Sequence, residues 1–254
     1  MNLTLEQYER IQPGEIIERG GKRMAFVTPN LATKWRVDTV LTKEPCTIER
    51  IESFEAGDIL VDVGANVGMY SIWAASMREA RVFAFEPESQ NYAILNRNIA
   101  LNGLQNLIRA YCVGLLDKQG LTQLFMANLQ AGGSCHSLGE SLDYKHEPLK
   151  AVFVQGSVGF TLDGMVSSGA LPIPNYIKID VDGFEPKVIS GSMQTLTNKT
   201  VRSLLIEINL NLPDHQEIVS TLNDMGFKHD PIQVKAATRK EGAFMGVAEH
   251  IFFR

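Results

Sequence analysis

The run from Ile59 to Gly68, ILVDVGANVG, followed eighteen positions later by Glu86 in RVFAFEP, constrains the fold of this chain more than any other feature. Apolar residues lead into Asp62, two glycines enclose a turn, and an apolar stretch of helical character follows from Gly68. A second apolar strand then ends on a carboxylate. A strand, a glycine turn, a helix and a strand tipped by an acid form the layout of a nucleoside site at the edge of a parallel sheet. The acid takes the ribose hydroxyls.

The turn reads Asp-x-Gly-x-x-x-Gly and lacks the third glycine of a dinucleotide fingerprint. A pyrophosphate is held by backbone N–H groups at a bare helix N-terminus, so it favours several glycines there. An acid beside the turn instead suits a nucleoside that carries cationic groups and no phosphate. S-adenosylmethionine, with its ammonium and sulfonium, is such a ligand.

The rest of the chain alternates strand and helix, the pattern of a doubly wound parallel sheet. Strand one is Ile59 to Val63, with a helix from about Gly68 to Met77. Strand two is Val82 to Phe85, and its helix runs from about Ser89 to Leu101, stopping at Asn102 and Gly103. Strand three spans about Leu107 to Val113, strand four Tyr176 to Val181, and strand five Leu204 to Ile208. Pro186 suits the first turn of the helix after strand four. Asp214 and Glu217 read as a capping box opening a helix with Ile218, Val219, Leu222 and Met225 as its stripe. Two final strands are predicted near Phe227 to Val234 and Glu249 to Phe253.

Residues 1–56 read as an N-terminal extension covering substrate or cofactor, and 57–254 as the main domain. The extension is predicted to hold strands at Met24 to Val27 and Arg36 to Leu41, then a short helix after Pro45. Residues 115–162 are the least regular, with QAGGSCHSLG at their centre. A long segment of this kind at strand ends is expected as a substrate lid.

A net charge of −5 argues against a nucleic-acid partner, which needs a basic face. Cys46, Cys112 and Cys135 have no metal-ligand spacing and are expected as reduced thiols. The opening residues MNLTLEQYERIQPGE lack the apolar core of a signal peptide, and no run approaches the ~20 apolar residues of a membrane span. A cytoplasmic protein is expected; oligomeric state is silent.

Five segments in order, DILVDVGANVGMYS, AFEPESQNYAILNRNIALNG, TLDGM, YIKIDVDGFEPKVISG and LLIEIN, resemble the FkbM family of S-adenosylmethionine-dependent methyltransferases. The resemblance runs from about residue 44 to the C-terminus, with a poorly matched middle. It implies the class I methyltransferase fold, a Rossmann-like seven-stranded sheet with the last strand antiparallel. It also implies O-methylation of a small-molecule hydroxyl, often on a sugar. On that resemblance Gly64, Ala65, Asn66 and Gly68 surround the cofactor's methionine end, and Tyr70 and Ser71 reach its carboxylate. Glu86, with Pro87 after it, holds the ribose; Val113 and Gly114 border adenine. Asp62 stands beside the turn, and Asp180 lies at the end of strand four. The family commonly has Glu where this chain has Asp182. Enzymes that methylate base nitrogens carry an Asp/Asn-Pro-Pro-aromatic box after strand four, whereas this chain has Asp180, Val181, Asp182 and Gly183.

Methyl transfer to an alkyl hydroxyl needs a positioned acceptor and a general base. Asp180, Asp182 and His136 are the candidate catalytic residues. Asp182 equally suits a helix cap, and a loop histidine is usually solvated. Lys178 interrupts a strand that should be apolar on both faces, and it is expected in a buried ionic cluster with Asp62 or Glu207. Asp180, Asp182, Glu185, Glu207 and Asn209 would offer hard oxygen ligands to magnesium, but acids at strand ends are common in this fold and no metal is expected. Ser134 and His215 show no Ser-His-Asp spacing and read as loop or surface residues; Trp35 and Trp73 read as packing residues. The rival classes are a dinucleotide-dependent oxidoreductase and a non-catalytic binding protein on a methyltransferase fold.

Overall fold

The computed structural model describes residues 3–11 and 13–254. Helix α1 (Leu5–Arg10) precedes a hairpin of β1 (Gly14–Arg19) and β2 (Lys22–Val27). Its two turn residues, Gly20 and Gly21, have φ of 55° and 74°, the backbone sign that matches strand twist in a two-residue turn. Asn30 then caps α2 (Leu31–Lys43) in a capping box with Thr33, and Pro45 opens α3 (Pro45–Glu52). The predicted strand at Arg36 to Leu41 is therefore the middle of a helix. Thr33, Val37 and Val40 are its buried stripe, and that helical spacing outweighs the β-branched run.

The core continues with β3 (Ile59–Val63), α4 (Met69–Arg78), β4 (Arg81–Phe85), α5 (Ser89–Leu101) and β5 (Ile108–Tyr111). After α5, Gly103 at φ 67° follows the C-cap Asn102, as predicted. The chain then leaves the main sheet for β6 (Gly114–Leu115), β7 (Gly120–Met126), β8 (Ser137–Leu138) and β9 (Phe153–Phe160), and α6 (Leu162–Ser167) leads back. It closes with β10 (Tyr176–Ile179), α7 (Glu185–Ser190), α8 (Met193–Thr197), β11 (Ser203–Asn209), α9 (Pro213–Asp224), β12 (Lys228–His229), α10 (Pro231–Ala237) and β13 (Val247–Phe253).

Seven strands form the main sheet in the order β12-β13-β11-β10-β3-β4-β5. β10 is parallel to both β3 and β11, while β13 runs antiparallel to β11. This is the doubly wound sheet that the strand-helix alternation predicts, with the antiparallel last strand that the family resemblance implies. The chain winds outward in opposite directions from β3 and β10, so a crevice opens at their carboxyl ends.

Three local expectations are corrected. Residues 115–162 are not irregular throughout: β6, β9, β7 and β8 make a second, four-stranded sheet, and the glycine-rich centre between β7 and β8 remains a loop. The predicted strand at Phe227 to Val234 shrinks to Lys228–His229, because Asp230 caps α10 and Pro231 opens it. Leu212, not Asp214, stands at the N-cap of α9, and Pro213 is its first residue. Asp214 accepts from the His215 N–H inside the first turn, and no capping box with Glu217 forms.

Two apolar clusters pack the sheet. One joins Met24, Phe26, Val37, Val40, Ile48 and Phe54 to Leu60, Ile72 and the fully buried Trp73, so the N-terminal elements share the core of the sheet. The edge of β2 is satisfied by side-chain amides of α5 and its C-cap: Asn98 Oδ1 accepts from Val27 N–H and Asn102 Oδ1 from Ala25 N–H, both at 2.8 Å. The three cysteines are free thiols, and no helix among the described residues is long and apolar enough to cross a membrane.

Candidate active site

The glycine turn presses against the tip of β10. Gly64 has φ 80°, and a Cβ there would collide with the Asp180 carbonyl. Gly64 and Ala65 both donate backbone N–H bonds to Phe85 O, at 2.9 and 3.0 Å, tying the turn to β4. Asn66 follows in the left-handed region at φ 51°. Its N–H donates to Glu86 Oε2 at 2.7 Å, and Glu88 N–H donates to Glu86 Oε1 at 2.9 Å. Glu86 is buried, and burial pushes its pKa up to about 7 although both N–H bonds pull the other way. Each of its oxygens keeps a further lone pair, enough for a diol.

A row of charge crosses one face of the main sheet. Lys178 pairs in register with Asp62, and Glu207 with Glu249. The Lys178 Nζ lies 3.1 Å from Asp180 Oδ2 and 4.8 Å from the centre of the Tyr70 ring. The expected buried cluster exists, but its ion-pair partner is Asp180 and not Asp62 or Glu207, since residues two apart on a strand share a face. Asp62 receives the Ser71 hydroxyl at 2.6 Å. Glu207 pairs with Arg239 at 2.5 Å, and Arg239 reaches Glu249 at 3.3 Å. Burial alone would raise Asp180, but Lys178 and Lys43 overcome it and hold this carboxyl well below its usual range.

Beyond β10 the chain turns through Asp182, at φ 54°. Asp182 Oδ2 accepts from Cys135 N–H at 2.6 Å, and burial and the Asp180 charge raise its pKa to about 6. Burial and Asp180 likewise raise Glu207 to about 7 against the pull of Arg239 and Lys43. Glu185 accepts from Val181 N–H and Gly183 N–H, closing the turn from within. His215, predicted at the surface, is buried beneath it, with Nε2 3.1 Å from Gly183 O. His146 Nε2 meets the same carbonyl at 2.8 Å.

The glycine-rich segment is pinned over the crevice. Gly133 O accepts from Asn66 Nδ2 at 2.7 Å and Asn91 Nδ2 at 3.2 Å, and Gly132 N–H donates to Asn91 Oδ1 at 2.7 Å. His136 is half-buried rather than solvated, which lowers its pKa. Its Nδ1 accepts from Ala127 N–H at 3.2 Å. The proton of the neutral ring therefore resides on Nε2, which has no partner among the described residues. His136 can donate a hydrogen bond but is poorly suited to act as a base.

These parts enclose one cavity of about 390 Å³. Of the residues singled out in the sequence, Gly64, Asn66, Glu86, Pro87, Gly114, Ser134, His136, Asp180, Asp182 and Glu207 line it. A smaller cleft beside it is lined by Gly64, Ala65, Asn66, Tyr70, Lys178 and Asp180. Asp62, Gly68, Ser71 and Val113 line neither; Ser71 is spent on Asp62, and Val113 packs against the core. The sequence reading missed Arg36 and Lys43 because it placed a strand where α2 lies; the signal available was Asn30 with Thr33. Trp35, read as packing, is half-exposed and lines the cavity. Arg239 and Phe244, from the segment before β13, complete it. Asp180, Asp182 and Glu207 hold carboxylate oxygens within 4.8 Å of one another, and Lys178 and Arg239 already pair two of the three.

Residues 62–229 match the methyltransferase FkbM domain. The hexuronic acid methyltransferase AglP of Haloferax volcanii is 26% identical over 212 residues, spanning 82% of this chain and 80% of that protein. The methyltransferase sdnD of Sordaria araneosa is 26% identical over 199 residues, 70% of this chain and 76% of its own. A solved rRNA methylase from Streptococcus thermophilus aligns with a TM-score of 0.49 at 10% identity, covering 82% of this chain and 94% of that one.

Proposed function

The chain belongs to the FkbM methyltransferase family, and from that premise we propose that it methylates a hydroxyl of a sugar or glycosylated metabolite, with S-adenosylmethionine as donor. A hexuronate is the first acceptor class to try, because a relative named for that substrate aligns over about four-fifths of both chains. The cavity residues fit the donor. The bare Gly64 backbone lines the cavity where it packs on the tip of β10, Glu86 keeps acceptor capacity for a ribose diol, and the acids around the crevice suit cationic centres. When bound, the donor supplies an electrophilic methyl group on a sulfonium.

The chain's own residues then have distinct tasks. Asp182, with a pKa near 6, takes the proton of the acceptor hydroxyl; a base poised close to the working pH combines availability with basicity. Asp180 stays ionised beside Lys178 and contributes negative potential near the cationic centre. His136 Nε2–H donates to an acceptor oxygen, and the half-exposed Trp35 ring offers a sugar an apolar face. The pinned segment from Gln130 to Cys135 limits water, which strengthens every charge interaction beneath it.

The observation that carries this reading is the pairing of Glu86 and Asp182 on one cavity across the Gly64 turn. Isotopically labelled S-adenosylmethionine supplied with hexoses, hexuronates and glycosylated metabolites tests it. A methyl ether in the product is the expected result. Tight S-adenosylhomocysteine binding with no transfer to any acceptor favours a binding protein instead.

A further inference from the structure

Three cationic side chains line the main cavity, and two are committed to acids. Lys43 Nζ is 2.6 Å from Glu44 Oε1, and Arg239 bridges Glu207 and Glu249. Lys178, which borders the smaller cleft, is held by Asp180. Arg36 lines both cavities and makes no ion pair among the described residues. Its partners are backbone carbonyls: Nε donates to Gly132 O at 2.7 Å, and Nη2 to Gly133 O at 3.5 Å. Three of the five guanidinium N–H groups are left for a ligand.

The surroundings decide which ligand. Glu86, Glu88, Asp180, Asp182 and Glu207 line the same cavity, so it repels a carboxylate almost everywhere. The free fork of Arg36 is the exception. A planar guanidinium already oriented by two carbonyls offers a carboxylate two parallel N–H···O bonds, which a lysine ammonium does not.

We propose that Arg36 is the carboxylate-recognition residue of this site, taking the carboxylate of a bound ligand while the acids opposite face its cationic groups. The assignment rests on the donor and acceptor reading above. Two carboxylates satisfy it: the amino-acid end of S-adenosylmethionine, and that of a uronate acceptor.

Calorimetry on the wild type, Arg36→Met and Arg36→Lys separates them with two matched pairs of probes. S-adenosylhomocysteine is compared with 5′-methylthioadenosine, which keeps the nucleoside and sulfur but lacks the amino-acid end. Glucuronate is compared with glucose on protein saturated with S-adenosylhomocysteine. Arg36→Met is expected to weaken the carboxylate member of one pair about ten- to hundredfold and spare its neutral counterpart. Arg36→Lys, which keeps the charge without the fork, falls between. A selective loss for S-adenosylhomocysteine assigns Arg36 to the donor; a selective loss for glucuronate assigns it to the acceptor. Loosening of the Gly132–Gly133 segment would weaken both members of a pair alike, so equal losses, or none, overturn the proposal. Failure of the wild type to bind S-adenosylhomocysteine or 5′-methylthioadenosine refutes the donor reading itself.

Discussion

The buried Glu86 and the half-buried Asp182 both have raised pKa values, yet their neighbours prepare them for different work. Glu86 is gripped by two backbone N–H groups that leave lone pairs on each oxygen. Glu86→Gln sets an amide N–H against one of those N–H groups and removes a charged acceptor. S-adenosylhomocysteine affinity is expected to fall about ten- to hundredfold, read by calorimetry, with the melting temperature little changed. Burial and the ionised Asp180 raise Asp182 against the pull of the Cys135 N–H on one of its oxygens, so its proton leaves near pH 6. Below that pH the carboxyl is protonated and cannot accept the hydroxyl proton; above it, it can. The rate is expected to rise with pH through about 6 and then level. Asp182→Asn is expected to lower kcat about a hundredfold or more and to abolish that limb. A variant with the wild-type pH profile removes Asp182 from the base role.

The charged row across β3, β10, β11 and β13 is a property of elements, because register sets Lys178 beside Asp62 and Glu207 beside Glu249, while the strand's own period brings Asp180 to Lys178. Lys178 is its central cation, buried and shared between the Asp180 ion pair and the Asp62 field. Lys178→Met leaves both acids without it, a loss of about 3–5 kcal/mol when a buried pair loses one partner. For a chain of this size that is a drop of about 6–20 °C in melting temperature by calorimetry; a drop of a degree or two would mean that water already solvates the cluster. The same contrast explains what the sequence made legible. β3, β4, β10 and β11 were readable because central parallel strands are continuous apolar runs. The Gly64 turn, Glu86 and Asp180 were readable because strand tips in this topology face the crevice. Arg36 and Trp35 were not, since α2 carries β-branched residues that mimic a strand until the Asn30 cap is weighed. The second sheet was hidden because Gly156 and Gly159 dilute the alternation of β9. The partner of Lys178 was misassigned across strands when it stood two residues on, just past the end of β10.

At the scale of the whole molecule, the division at residue 56 is not a seam in the packing. Met24, Phe26, Val27, Val37 and Val40 are buried in the same cluster as Leu60, Ile72 and Trp73. Each such side chain contributes about 1.5–3 kcal/mol by burial, about 7–15 kcal/mol for the five, as much as the whole stability of a typical domain. Removal of residues 1–43 is expected to yield a chain without a cooperative melt in circular dichroism, rather than a free-standing sheet domain. The crevice that this layer roofs also sets how the ligand-free protein responds to pH. Glu86 and Glu207 are raised to about 7 and Asp182 to about 6, against about 4 for exposed carboxyls in the unfolded chain. A raised carboxyl costs nothing while both states are protonated, and its penalty appears as pH climbs from the unfolded value through the folded one. Asp180 has the opposite sign, but its folded value lies below this window and its contribution is constant across it. His136, His215 and His250, whose pKa values burial lowers, oppose the trend below about 6.5, while Glu185 and Glu249, also raised by burial, reinforce it, so the carboxyls outweigh the histidines. The melting temperature of the ligand-free protein is therefore expected to rise as pH falls from 8 to about 5.5. Asp182→Asn should flatten the lower part of that rise. A melting temperature that falls steadily over the same range would mean that the crevice carboxyls are already ionised and paired, and that the acids do not hold their potential in reserve for a cationic ligand.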